Sequence, residues 1–180
     1  MPRLESPRLI LDEVTAHDVE AIHRYASDPE VVRYQTWGPN TLLQTEEFVQ
    51  QVLRWQHDKP RRFIVLAIRK KNQPRMLGAV SLEIDDQLPS AAFGFSLARD
   101  AWGQGFATEA GQTLIMHIEE RMPLTRLTAS CDRRNIASQS VLRKCGFKSI
   151  GLIHQHMMLR DGLRDTLLFE LPLRAAAASP

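Results

Sequence analysis

Between Ala91 and Ile118 an apolar run, a bend with two glycines and a one-sided helix follow in succession, and no other stretch constrains the chain as strongly. Ala91 to Leu97 (AAFGFSL) reads as a strand, and Trp102-Gly103-Gln104-Gly105 as the bend. Ala107, Ala110, Leu114 and Ile118 recur at helical spacing. Glycines there let the backbone turn tightly and approach a ligand without an intervening Cβ. The free amides of a helix start, with its positive dipole end, make a site for a phosphate. A turn that merely caps a helix has the same pattern. The dinucleotide fingerprint and the Walker loop are both excluded, because no GxGxxG closes and no Gly-Lys-Ser/Thr follows.

The rest of the chain reads as strands and helices in alternation. Strands are expected at Leu9–Val14, Arg62–Arg69, Met76–Ile84, Leu124–Cys131, from Phe147 onward, and around Leu167, Phe169 and Leu171. A helix led by the Thr15/Asp18 cap pair carries Val19, Ile22 and Ala26. Glu30 to Tyr34 reads as a short helix, and Phe48, Val49, Val52, Leu53 and Trp55 mark another. Asn135 to Lys144 is a helix that Gly146 ends as a left-handed cap. Arg160-Asp161-Gly162 is a hairpin turn. Meander strands first and βαβ units later give an α/β (α+β) fold, a mixed sheet of about seven strands covered by helices.

Composition narrows the function classes. The 180 residues suit one domain, here 1–173, followed by a low-complexity tail, 174–180, expected to be disordered. A net charge of +2, from 23 basic and 21 acidic residues, leaves no polyanion footprint, so no nucleic-acid partner is expected. No run approaches the roughly 18 apolar residues of a membrane span, and the start has no long apolar signal core. Cys131 and Cys145 sit in no metal-ligand or CxxC pattern and read as reduced core thiols of a cytoplasmic protein.

Taken together, SPRLILDEV, DPEVVRY, WGP, WGQGFATEA, NIASQSVLRKCGF and LRDGLRDTLLFEL resemble the GNAT superfamily of acetyl-CoA-dependent N-acetyltransferases. Within it the chain is most similar to the ribosomal-protein-alanine N-acetyltransferase (RimJ/RimL-like) group. The resemblance implies a sheet splayed in the middle, with coenzyme A between two strands. It implies that the backbone amides of Gly103, Gln104, Gly105, Phe106, Ala107 and Thr108 hold the pyrophosphate, with Trp102 where the pattern usually has Gln or Arg. It also assigns Phe95, Ser96 and Leu97 to the pantetheine, and Asn135 and Ser138 to the helix that contacts the cofactor. Arg133 and Arg134, just before that helix, suit the 3′-phosphate, with Arg134 the candidate. Trp37 and Tyr34 fall in a loop that overhangs the acceptor in relatives.

The acid–base machinery departs from the pattern. Where many members carry a tyrosine acid, seven residues after the helix Asn, this chain has Leu142. Ser138, four residues earlier on the same face, is the nearest hydroxyl. Where relatives often carry a strand glutamate this chain has Ala92, and a methionine aligns with the carboxylate of the ribosomal enzymes. Candidate bases are His154 and His156, expected to share a strand face, and Glu83. A chain-terminal α-amine, with a pKa of about 8, is roughly a tenth neutral at pH 7, whereas lysine at about 10.4 is under a thousandth neutral. A weak base therefore favours α-amines. The reading is acetyl transfer in a ternary complex to a protein N-terminal amine. A small-molecule amine and a low-turnover coenzyme A sensor are the alternatives, in a monomer or homodimer.

Overall fold

The structure, a computed structural model, describes residues 1–73 and 75–174. The disorder expected of the tail falls on residues 175–180, outside those described, while Arg174 donates its amide to the Glu119 carboxylate at 3.2 Å. In chain order the elements are β1 (Leu4–Glu5), β2 (Leu9–Glu13), α1 (Val19–Ala26), α2 (Leu42–Trp55), β3 (Phe63–Lys70), β4 (Met76–Ile84) and β5 (Ser90–Leu97). Then come α3 (Phe106–Arg121), β6 (Arg126–Asp132), α4 (Ile136–Lys144), β7 (Lys148–Leu159) and β8 (Gly162–Pro172).

The strands form one sheet in the order β1-β2-β3-β4-β5-β6-β8-β7. All neighbours are antiparallel except β5 and β6. This is the mixed sheet expected, with eight strands in place of seven. The additional one is the two-residue β1, too short to give a period-2 signal.

β3 shows how the sheet divides its core. Ile64, Leu66 and Ile68 enter one cluster, beneath α3 and Leu142 of α4. Val65 and Ala67 enter a second, with Ile22 and Tyr25 of α1 and Val49 and Val52 of α2. Alternate side chains point to opposite faces, so a strand buried on both must be apolar throughout. The predicted stripe on α3 is the buried one: Ala110, Leu114 and Ile118 are each 0% exposed. Among the described residues no helix is long and apolar enough to cross a membrane.

Two local expectations fail. Residues 30–34 form turns rather than a helix. The Asp28 carboxylate accepts the Glu30 amide at 2.9 Å and the Asp28 carbonyl accepts from Val31 and Val32, which closes the turn locally after Pro29. In β7 the alternation breaks between Ile153 and Met157, where Gln155 adopts φ 47° and residues 154–156 stand against Asp165 alone. Sequence alternation gives no sign of such a bulge.

Candidate active site

The site grows out of a gap in the sheet. β5 and β6 pair for three residues only, ending at Ala92 and Thr128, yet β5 runs on to Leu97 and β6 to Asp132. Beyond Ala92 the β6-facing edge of β5 has no strand partner, so Phe95, Ser96 and Leu97 line the opening instead. Main-chain groups left in this way are obligatory hydrogen-bonding sites for whatever enters.

At the C-terminal end of β5 the chain turns through the glycine bend into α3. Gly103 has φ 72° and Gly105 φ 79°, a left-handed conformation that a Cβ would strain. The first helical bond runs from the Glu109 amide to the Gly105 carbonyl at 3.0 Å, so the amides of Phe106, Ala107 and Thr108 have no partner in the helix. Among the described residues the amides of Gly103, Gln104 and Gly105 make no backbone bond either. Gly103, Gly105, Ala107 and Thr108 line a cavity of about 490 Å³. The side chains of the other two loop residues go elsewhere: Gln104 bonds the Asp100 carbonyl at 2.9 Å, and Phe106 is buried in the core.

Arg8, which the sequence reading missed, braces this loop from outside. Its guanidinium donates to the Gln104 carbonyl at 3.0 Å and to Glu109 at 2.6 Å, and lies 4.6 Å from the centre of the Phe106 ring. Burial alone would raise the Glu109 pKa, but bonds from the Ser6 hydroxyl and from the Arg8 amide and guanidinium lower it overall. A separation of about a hundred residues hides this contact from sequence patterns.

Opposite the loop, Asn135 caps α4 by accepting the Ser138 amide at 3.1 Å. The cap uses the amide of Ser138 and not its hydroxyl. Both residues line the 490 Å³ cavity and also a second, of about 900 Å³. Tyr34, Gln35, Phe95 and Ser96 complete the shared wall. Two guanidinium groups approach the Tyr34 ring, Arg33 at 5.5 Å and Arg134 at 5.6 Å from its centre. Trp37 borders the larger cavity, and its carbonyl accepts from Arg160 at 3.5 Å.

The larger cavity lies between α2 and the β3–β4–β5 surface, where Trp55 stacks on Phe63 with ring centres 4.5 Å apart. Glu83, exposed at its edge, is the one charged side chain among the described lining residues. Leu142, at the position of the family tyrosine, is a buried part of the wall. Cys131 also lines it, and burial, with Asp132 adding to the effect, pushes its thiol up to about 11.

Three candidates do not line either cavity. His154 is exposed, with Nδ1 3.2 Å from Asp165, and the exposed His156 faces the Thr166 hydroxyl at 3.2 Å. Arg134 bonds buried Asp132 at 3.2 Å and reaches Asp161 at 3.5 Å, so its charge is engaged within the protein. Lys144 and Arg33 line the smaller cavity in its place.

Comparison with known proteins agrees with this fold. The family described as the acetyltransferase (GNAT) domain matches residues 8–148. An uncharacterized N-acetyltransferase of Bacillus licheniformis, p20, is 29% identical over 180 residues, covering 98% of this chain and 99% of its own. RimL, a ribosomal alpha-N-protein acetyltransferase solved in complex with Coenzyme A, superposes with a TM-score of 0.86 at 21% identity. That match covers 96% of this chain and 98% of RimL. The self-immunity acetyltransferase MccE, solved with acetyl-CoA and AMP, gives 0.82 at 19% identity, covering 93% and 94%.

Proposed function

This chain belongs to the GNAT acetyltransferase family, and from that premise we propose that it moves acetyl from acetyl-CoA to a protein N-terminal α-amine by direct attack in a ternary complex. Residues 1–173 act as one acetyltransferase domain. The observation that carries the reading is the meeting of two cavities at one wall. One is edged by free main-chain groups and a left-handed glycine bend, and the other is an aromatic chamber with a carboxylate at its rim.

Acetyl-CoA supplies the activated acetyl group as a thioester. The Gly103–Thr108 amides hold its pyrophosphate, the edge of β5 at Phe95–Leu97 pairs with pantetheine, and Lys144 and Arg33 offer charge to the outer phosphate. Asn135 orients the helix start from which the Ser138 hydroxyl faces the shared wall. Glu83 accepts the proton that leaves the attacking amine, and the departing sulfur is protonated through the Ser138 hydroxyl, which regains its proton from water. Tyr34 and Trp37 border the acceptor. The Cys131 thiol, protonated near neutral pH, is unsuited to a covalent acetyl-enzyme. RimL's description as an alpha-N-protein acetyltransferase supports the acceptor, as does the larger neutral fraction of an α-amine. Two free thiols fit a reducing, cytoplasmic setting.

Thiol release from acetyl-CoA, followed with a panel of amines, tests the reading. Peptides with a free α-amine should be turned over faster than the same peptides N-blocked and carrying lysine. A lysine side chain that outpaces the matched terminal amine overturns the acceptor, and release that no amine accelerates overturns the transferase.

A further inference from the structure

Resting on the transferase reading, we propose that the acceptor carries its primary amine on an apolar, aromatic-sized group with no acidic substituent near the nitrogen. The chamber that would receive it concentrates the aromatic residues of the whole protein. Both tyrosines, two of the three tryptophans and four of the seven phenylalanines line its 900 Å³. Tyr25 and Phe93 form its buried floor, the other six rings are partly exposed, and polar groups such as Gln35, Asn40 and Gln44 share the lining. Aromatic walls of this kind take up flat apolar bodies by area burial and by ring geometry.

Charge sorts what enters. Among the described lining residues Glu83 alone is charged, so an incoming ammonium meets an opposite charge at the rim. A carboxylate or phosphate beside that amine meets the same anion and finds no cation in the wall to pair with; an unpaired charge held there stays poorly solvated. Glu83 is the register partner of Phe63 on β3 and of Ala92 on β5, which sets the carboxylate in a row with an aromatic ring that stacks on Trp55. One row thus supplies a pole for the nitrogen and a face for the group that bears it.

The shared chemistry, an amine beside an apolar ring, occurs both in free arylalkylamines and in chains that begin with a bulky apolar residue. The experiment compares kcat/KM in matched pairs with acetyl-CoA saturating. The pairs are phenethylamine with ethylamine, phenylalaninamide with phenylalanine, and tetrapeptides beginning with Phe, Ser or Asp. We expect at least a tenfold preference for the ring in the first pair, at least tenfold for the uncharged amide in the second, and Phe over Ser and Asp among the peptides. Peptide turnover matching that of phenylalaninamide identifies a protein terminus as the source, and turnover confined to the free amines identifies a small molecule; both support the proposal. In Glu83→Gln the amide-over-acid ratio should fall toward one, with the ring preference kept, however much overall turnover drops. Equal or inverted ratios in the first two pairs overturn the proposal while leaving transferase chemistry standing. Turnover of none of the amines overturns the transferase reading itself.

Discussion

Glu83 of β4 and Ala92 of β5 are direct cross-strand partners, and both border the larger cavity. Directly opposed residues hold their Cβ atoms about 4.5–5.5 Å apart on one face of the sheet. The position that in relatives often carries a strand glutamate is therefore empty of charge here, while its neighbour across the ladder supplies one. If the carboxylate has changed strands without leaving the site, Glu83→Gln should lower kcat by about 100-fold, within the usual range for losing a general base. Affinity for acetyl-CoA should be unchanged. Adding Ala92→Glu to that variant should restore part of the rate. Wild-type kcat in Glu83→Gln would remove the assignment.

In the proposed reaction the Ser138 hydroxyl acts on the sulfur, and it is the amide of Ser138, not that hydroxyl, that the α4 cap engages. Ser138→Ala should leave the helix and its cap intact and reduce kcat by about tenfold or more, with the dissociation constant of acetyl-CoA little altered. Weaker cofactor binding at unchanged kcat would make Ser138 a binding residue only.

Arg8 positions the loop through Glu109 and the Gln104 carbonyl. The guanidinium is half exposed, so Arg8→Ala should cost only about 1–3 °C in Tm. Affinity for acetyl-CoA, read by calorimetry, should weaken about fivefold or more. The folded pKa of Glu109 is lowered, so its share of stability is present above the ordinary carboxylate pKa and is lost as pH falls through the lower folded value. The Tm gap between wild type and Arg8→Ala should accordingly close in acid. A gap constant with pH would contradict the pairing.

Burial sets the chemistry of the two thiols, both raised to about 11. Alkylation of Cys131 by iodoacetamide, followed by mass spectrometry, should be slow at pH 8 and climb toward pH 11, as the thiolate is the reactive form. Cys131→Ala should keep its transferase activity. An inflection near pH 8, or activity lost with the thiol, would reopen the covalent route.

What the sequence disclosed follows from the range of each interaction. The α3 stripe, the Gly146 cap and the glycine bend depend on neighbours a few residues away, and the structure has all three. The Glu83–Ala92 pairing depends on the register across a turn, which no periodicity reveals. The Arg8 contact depends on the sheet bringing β2 beside α3. The two histidines were expected to share a strand face, but a left-handed residue between them alters the period. Arg134 carries the charge a phosphate needs, but buried Asp132 and exposed Asp161 engage it.

The claim on which all of this rests is that main-chain amides at the glycine bend grip the coenzyme's diphosphate. Calorimetric titration of acetyl-CoA into wild type, Gly103→Val and Gly105→Val measures it directly. Space is open beside Gly103, and Gly105 would meet only the end of the Arg8 side chain at 3.5 Å, so the variants should fold, as circular dichroism can verify. Valine at φ above 70° strains the bend, and we predict affinity at least tenfold weaker in both variants. Undiminished affinity in folded variants would contradict the account.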